Sequence, residues 1–195
     1  YIRFYTKFLR DIGLLKFDEP AVKLFNQGMI HGKDGKKMSK SLGNTIDPLD
    51  ITSKTSADAL RMYLVSVASP DSDFNWANKG PKSTFKFINK IVNYFEKTKL
   101  GKSSASIESK INRGISRITE DIENLRYNLG VIKLRQLFES IEEQEQISKQ
   151  TAESFLKMLS VFCPHISEEL WEKIRGKGFI SLADWPVADK SKIDN

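Results

Sequence analysis

The chain has 195 residues, 39% of them hydrophobic and 29% charged, with a formal net charge of +6 and an isoelectric point near 9.3. Such a chain is long enough for one large domain or two modest ones, holds no apolar run near the length of a membrane span, and is basic enough to favour a nucleic-acid or phosphate partner without establishing one. One cysteine, Cys163, and two histidines, His31 and His165, exclude a disulfide framework and a thiolate zinc site, so no metal is expected and a cytoplasmic location fits.

The chain opens on "YIRFYTKFLRDIGLL", with no initiator methionine. Ile2, Tyr5, Leu9 and Ile12 recur at helical spacing, widened by Phe4 and Phe8. The pattern is that of an internal helix, ended by Gly13, and the chain is expected to be a piece of a longer polypeptide. "NQGMI" at 26–30 is expected to be a short buried strand. Asp47 before Pro48 reads as an N-cap and first-turn pair. Ser56 reads as the start of a helix striped by Leu60, Leu64 and Val67 and ended by Pro70. Asp58 and Arg61, three apart, are expected to form a surface ion pair. "DSDFNW" reads as a loop with its aromatic residues turned inward.

From Gly80 helical periodicity dominates. Phe85, Ile88, Val92 and Phe95 share one face of a helix over 81–99, flanked by Phe87, Ile91 and Tyr94, while Lys82, Lys86, Lys90 and Lys97 line the other. "LGKSSAS" (100–106) reads as a linker. Ile107, Ile111, Ile115, Ile118, Ile122 and Leu125 mark a second helix, and Val131, Leu134, Phe138 and Ile141 a third, closed by "EEQEQ". Phe155, Met158, Leu159 and Phe162 mark a fourth. "HISEELWEKIRG" forms a short fifth, stopped by Gly176. These stripes predict a helical bundle core. Cys163 is read as a small buried hydrophobe, and Trp76, Trp171 and Trp185 as core or junction residues. His165 is assigned to packing near a helix start. Glu168 and Glu169 point to different helix faces, which argues against an acid/base pair. The tail after Val187 is charged and of low complexity.

"GKDGKKMSKSLGN" (32–44) crowds four lysines and three glycines together. Like charges repel and glycines cost entropy on folding, so an external polyanion is the expected compensation. The spacing is not that of a Walker A loop. Lys37-Met38-Ser39-Lys40-Ser41 is the second signature motif of the class I aminoacyl-tRNA synthetases, which the sequence resembles here. "DPLDI", "ADALRMYL", "CPHISEELWE" and "DWP" are similar to the leucyl, isoleucyl and valyl branch. "SPDSDFNW" looks leucyl, of archaeal and eukaryotic type; the opening "FYTKFLRDIGLLKFDEP" also looks leucyl, and the short gap between Met29 and the motif favours the archaeal-like reading. The matches are spread over residues 1–186.

The resemblance implies a mainly α fold: the end of a Rossmann-like α/β catalytic domain with the KMSKS loop (1–78), followed by an α-helical, anticodon-binding-type bundle (79–195). It implies ATP as substrate, with Mg2+ accompanying it, and leucine and tRNA(Leu) as partners of a monomeric full-length enzyme. Lys40 would be the main phosphate contact and Lys37 its assistant, these two being catalytic. Ser39 and Ser41 would supply hydroxyls, Met38 would anchor the loop, and Gly32, Gly35 and Gly43 would let it open and close. Lys33 is read as a solvated turn residue. His31 reads as a strand-end residue, with the adenine pocket as the alternative. The face of Lys82, Lys86, Lys90 and Lys97 is expected to track RNA phosphates. The first motif, His-Ile-Gly-His, is absent, so the isolated chain is expected to be inactive. The alternatives are an isoleucyl or valyl fragment and a non-catalytic RNA-binding module. Ser56 stands where the family commonly has glycine, so a different local turn is open there.

Overall fold

The computed structural model describes residues 1–193. Helix α1 (Ile2–Asp11) opens the chain and turns off at Gly13, whose φ of 80° suits glycine. Arg3 pairs with Glu19 at 2.6 Å, and Arg10 pairs with Asp11 and Asp18. These exposed ion pairs fold the following turn back along the helix. The apolar stripe of α1 is exposed at Ile2, Phe4, Tyr5, Phe8 and Ile12.

Strand β1 (Ile30–His31) pairs in parallel with β2 (Phe74–Asn75). The strand expected over 26–30 is thus confined to its last residue and the next, and Asn26 and Gln27 are exposed. The reason lies at Gly28, whose amide bonds the Pro70 carbonyl at 2.8 Å. A Cβ there would meet the Ser72 carbonyl at 2.2 Å, so 26–29 runs as an irregular close approach rather than a ladder. "DSDFNW" does turn its aromatics inward. Trp76 is buried and meets Tyr63 edge-on at 5.2 Å.

Two short-range caps start the next helices. In α2 (Pro48–Thr52) the Asp47 carboxylate accepts from the Leu49 amide at 2.8 Å. In α3 (Ala57–Ser66) the Ser56 hydroxyl accepts from the Ala59 amide at 3.1 Å. Ser56 has φ −160° and ψ 163°, extended backbone open to any residue, so serine serves here as a cap with no need of glycine.

The bundle follows: α4 (Lys79–Lys97), α5 (Ala105–Glu123), α6 (Tyr127–Glu142), α7 (Lys149–Ser160) and α8 (Pro164–Lys173). Its core contains Ile88, Ile91, Phe95, Ile111, Ile118, Leu134, Phe138 and Phe155, all buried. Phe155 meets Phe95 at 6.1 Å and Phe138 at 5.7 Å. Leu125, expected to extend the second helix, lies beyond its end in the α5–α6 turn with φ 58°. Asp121 is fully buried there, and Arg126 and Lys133 reach its carboxylate at 3.1 and 2.5 Å. A second parallel ladder pairs β3 (Lys99–Leu100) with β4 (Gln146–Ile147), so the expected linker and "EEQEQ" are joined. The charged tail also docks: the Asp189 amide bonds the Asn112 side chain at 2.8 Å, and Lys192 pairs with Glu108 at 3.0 Å. Asp194 and Asn195 lie outside the described residues.

The expected Asp58–Arg61 surface pair does not form. Asp58 is buried and faces the start of α8. It accepts from the Ile166 amide at 2.8 Å and the His165 amide at 3.4 Å, and its carboxylate lies 2.7 Å from His165 Nδ1. Cys163, the residue before α8, offers no cap of its own, so a carboxylate from α3 satisfies the orphan N–H groups of α8 and the positive end of its dipole. Arg61 turns instead to the Val161 carbonyl. His165 thus contributes a hydrogen bond from a largely exposed ring. Cys163 is buried as expected, and burial pushes its thiol up. Asp58→Ala should lower stability by about 1–3 kcal/mol, read by urea unfolding. A loss under about 0.5 kcal/mol would contradict the capping role.

Candidate functional site

The glycine–lysine segment folds as a hairpin-like turn closed by backbone. His31 bridges Lys37 in antiparallel fashion, and the Gly32 amide bonds the Lys36 carbonyl at 2.8 Å. Gly35 sits at the turn with φ 72°, and Gly43 ends the segment at φ 63°; both positions favour glycine. Between them Lys40–Leu42 makes one 3-10 turn, capped by the Ser39 hydroxyl, which accepts from the Leu42 amide at 3.2 Å. Ser41 lies 3.0 Å from Ser39, hydroxyl to hydroxyl.

Met38 turns inward. It packs with Ile30, Ile46, Ile51 and Leu64 on the buried cluster of Leu60, Tyr63 and Trp76. Tyr63 is itself fixed. Its hydroxyl accepts from the Ala77 amide at 3.1 Å, and its ring lies so close to Gly80 that a Cβ there would be 2.0 Å away. The methionine therefore references the loop to α3 and the start of α4.

The organiser that the sequence reading missed is Asn44. Its side-chain oxygen accepts from the Ser39 amide at 2.8 Å, and its amide donates to the Lys37 carbonyl at 3.3 Å and reaches Asp34 at 3.4 Å. Asp34 also accepts from the Lys36 amide at 3.2 Å. These donors hold the Asp34 carboxyl below its ordinary range. Asp34-Gly35 was a legible turn signal, whereas nothing local distinguished Asn44. Gly32 completes the arrangement, because a Cβ there would stand 2.6 Å from Asp34.

Lys37 and Lys40 both extend into solvent, and among the described residues neither they nor Lys33 and Lys36 enter an ion pair. Two uncompensated ammonium groups thus stand on a segment turned at Gly35 and Gly43 and pinned by Met38. That arrangement can hold a polyphosphate. His31 ends β1, with Nε2 3.6 Å from Asp73. Glu168 accepts from the Ile180 amide at 3.1 Å while Glu169 is exposed, so the two carboxylates do not work on one site. Among the described residues no group of three or more His, Cys, Asp or Glu is placed to hold a metal ion, and no helix is long and apolar enough to cross a membrane.

On α4, Lys82, Lys86, Lys90 and Lys97 are all exposed. Lys90 is paired with Glu142 at 3.1 Å, so the face is partly neutralised.

Residues 3–77 match the family described as tRNA synthetases class I (I, L, M and V), and residues 104–195 match the anticodon-binding domain of tRNA ligase. The leucine–tRNA ligase of Mycoplasma mycoides is 39% identical over 99% of the chain and 24% of its own length. That of Petrotoga mobilis is 36% identical over 99% of the chain and 26% of its own length. The chain thus spans about a quarter of these curated relatives. Among solved structures, the ternary complex of Agrobacterium radiobacter K84 agnB2 LeuRS with tRNA and LeuAMS superposes with a TM-score of 0.80 at 26% identity, covering 98% of this chain and 28% of that one. Mycobacterium tuberculosis methionyl-tRNA synthetase shares the fold at a TM-score of 0.62 and 12% identity, over 87% and 40% of the two chains. All four are bacterial, so they lend no support to the expected archaeal character.

Asn44→Ala should raise hydrogen exchange at the Ser39 amide by about fivefold, one lost hydrogen bond being worth about 1 kcal/mol, with the bundle amides unchanged. Equal protection in both proteins would show that Asn44 does not organise the loop.

Proposed function

Because the chain belongs to the class I aminoacyl-tRNA synthetases and is of the leucyl type, we propose that it serves ATP-dependent activation of leucine and transfer of leucine to tRNA(Leu) within a longer enzyme. Residues 1–78 are the end of the catalytic domain and 79–195 the tRNA-binding bundle. The observation that carries this is the pair of unpaired ammonium groups, Lys37 and Lys40, on a loop turned at two glycines and pinned by Met38.

In activation, the leucine carboxylate attacks the α-phosphorus of ATP. The bond to the bridging oxygen breaks and pyrophosphate leaves with its electrons. Negative charge grows on the β- and γ-phosphates as this happens. Ammonium groups placed there stabilise the transition state more than the ground state. Lysine suits the task as a compact charge with rotatable donors. Lys40 is the main contact and Lys37 assists. Ser39 and Ser41 shape the 3-10 turn and offer hydroxyls, and Met38 sets the height of the loop. Mg2+ travels with the ATP. A tRNA hydroxyl then attacks the adenylate carbonyl and AMP leaves. The exposed apolar stripe of α1 supports a reading in which further protein covers that helix. Lys82, Lys86, Lys90 and Lys97 meet the tRNA backbone, and a cytoplasmic, monomeric enzyme fits the whole. The leucine–tRNA ligase names of the relatives favour leucyl over isoleucyl or valyl specificity.

The chain alone should give no leucine-dependent pyrophosphate exchange. Combined with the complementary part of the synthetase it should restore exchange, and Lys37→Ala/Lys40→Ala should reduce the restored rate by about 100-fold or more. An undiminished rate in the double variant would sink the assignment. Separately, Lys86→Glu/Lys90→Glu should weaken tRNA binding and flatten its salt dependence. Binding unchanged at both low and high salt would remove the α4 face from the RNA contact.

A further inference from the structure

A cavity opens where α3, α4 and α8 meet, and none of residues 32–44 lines it. We propose that it is a binding site for a small apolar carboxylic acid, with the carboxyl group held at His165 and the hydrocarbon body laid on α4. The cavity has a volume of about 350 Å³, at the lower end of the range for small-molecule pockets. Its floor is apolar: Phe85, Ile88 and Val92 come from α4, and Ile166 from α8. Phe85, Val92 and Ile166 are only partly buried, so an occupant would cover apolar surface that now faces water.

The rim is built on a carboxylate–imidazole pair. The Asp58 side chain is 3% exposed and lies 2.7 Å from His165 Nδ1, whereas the His165 side chain is 75% exposed. A carboxylate only accepts, so Nδ1 carries the proton and donates it to Asp58. That fixes the ring and leaves Nε2, on its far side, for a ligand. A carboxyl group and an imidazole nitrogen share one proton whichever of them holds it, and the bond is charge-assisted when the nitrogen does.

The surroundings favour an acid over a base. Among the described residues that line the cavity, Asp58 is the one carboxylate, and two amides of α8 already engage it. Asn89 stands exposed in the same lining, with an amide that can donate to a second oxygen. Lys82 lies seven residues before Asn89, about 20° from it around α4 at ~100° per residue. It is exposed and enters no ion pair among the described residues, so that side of α4 carries an uncompensated positive charge. A bare hydrocarbon would leave Nε2 and Asn89 unused.

The test is a titration of the whole chain with phenylacetate and with 2-phenylethanol, a neutral probe of similar shape, followed by the NMR signals of the His165 ring and the Ile88 methyls. Both probes should shift the Ile88 methyls. Phenylacetate should bind about tenfold more tightly, one charge-assisted hydrogen bond making the difference, and should also shift the His165 ring. His165→Ala, which keeps both amides on Asp58, should erase that preference and leave the affinity for the alcohol within about twofold of the parent. Val92→Trp, which fills the cavity, should weaken both probes by about tenfold or more. The comparison of the two probes on the parent needs no variant, so it decides the matter even where a variant melts early. No saturable shift with phenylacetate up to about 10 mM, equal affinity for the two probes, or a preference that survives in His165→Ala would each overturn the site. Undiminished binding by a folded Val92→Trp would place the probe elsewhere on the surface and overturn it too.

Discussion

A single buried carboxylate joins the two parts of this molecule. Asp58 belongs to α3, yet it completes the first turn of α8, more than a hundred positions further along. A buried carboxylate is costly unless its lone pairs are satisfied, and here two amides and an imidazole satisfy it. The rest of α3 works around that anchor. Ala59 and Met62 enter the bundle core, whereas Leu60 and Tyr63 face the cluster that holds Met38. One helix of ten residues therefore sits between the glycine–lysine loop and the bundle. The height of Lys37 and Lys40 is set by a residue packed on α3, and α3 is set against the bundle by Asp58.

This dependence explains which features could be read from the chain. The helices α5 to α8 were legible because each needs only its own apolar repeat, and Ile107, Ile111, Val131 and Phe155 are buried where the repeat puts them. Asp58 was misread because a helical wheel sees Arg61 three positions away but not the bare N-terminus of another helix. The two-residue strands were equally invisible, since two residues have no period. "NQGMI" looked like a buried strand on apolar content alone, while the backbone contact at Gly28 decided otherwise.

The loop divides the same way. Its lysines, its turn glycines and Met38 carry local chemical reasons for their places. Asn44 carries none, because its role is to gather a carbonyl, an amide and a carboxylate that only the folded turn brings together.

The short ladder between Lys99–Leu100 and Gln146–Ile147 also has a consequence. Two residues per strand cannot hold themselves together in water, so α5 and α6 must already lie side by side before these strands meet. The ladder then acts as a latch rather than a hinge pin. It closes the mouth of a long helical hairpin after the hairpin exists, and it fastens the way in and the way out so that the pair travels as one arm.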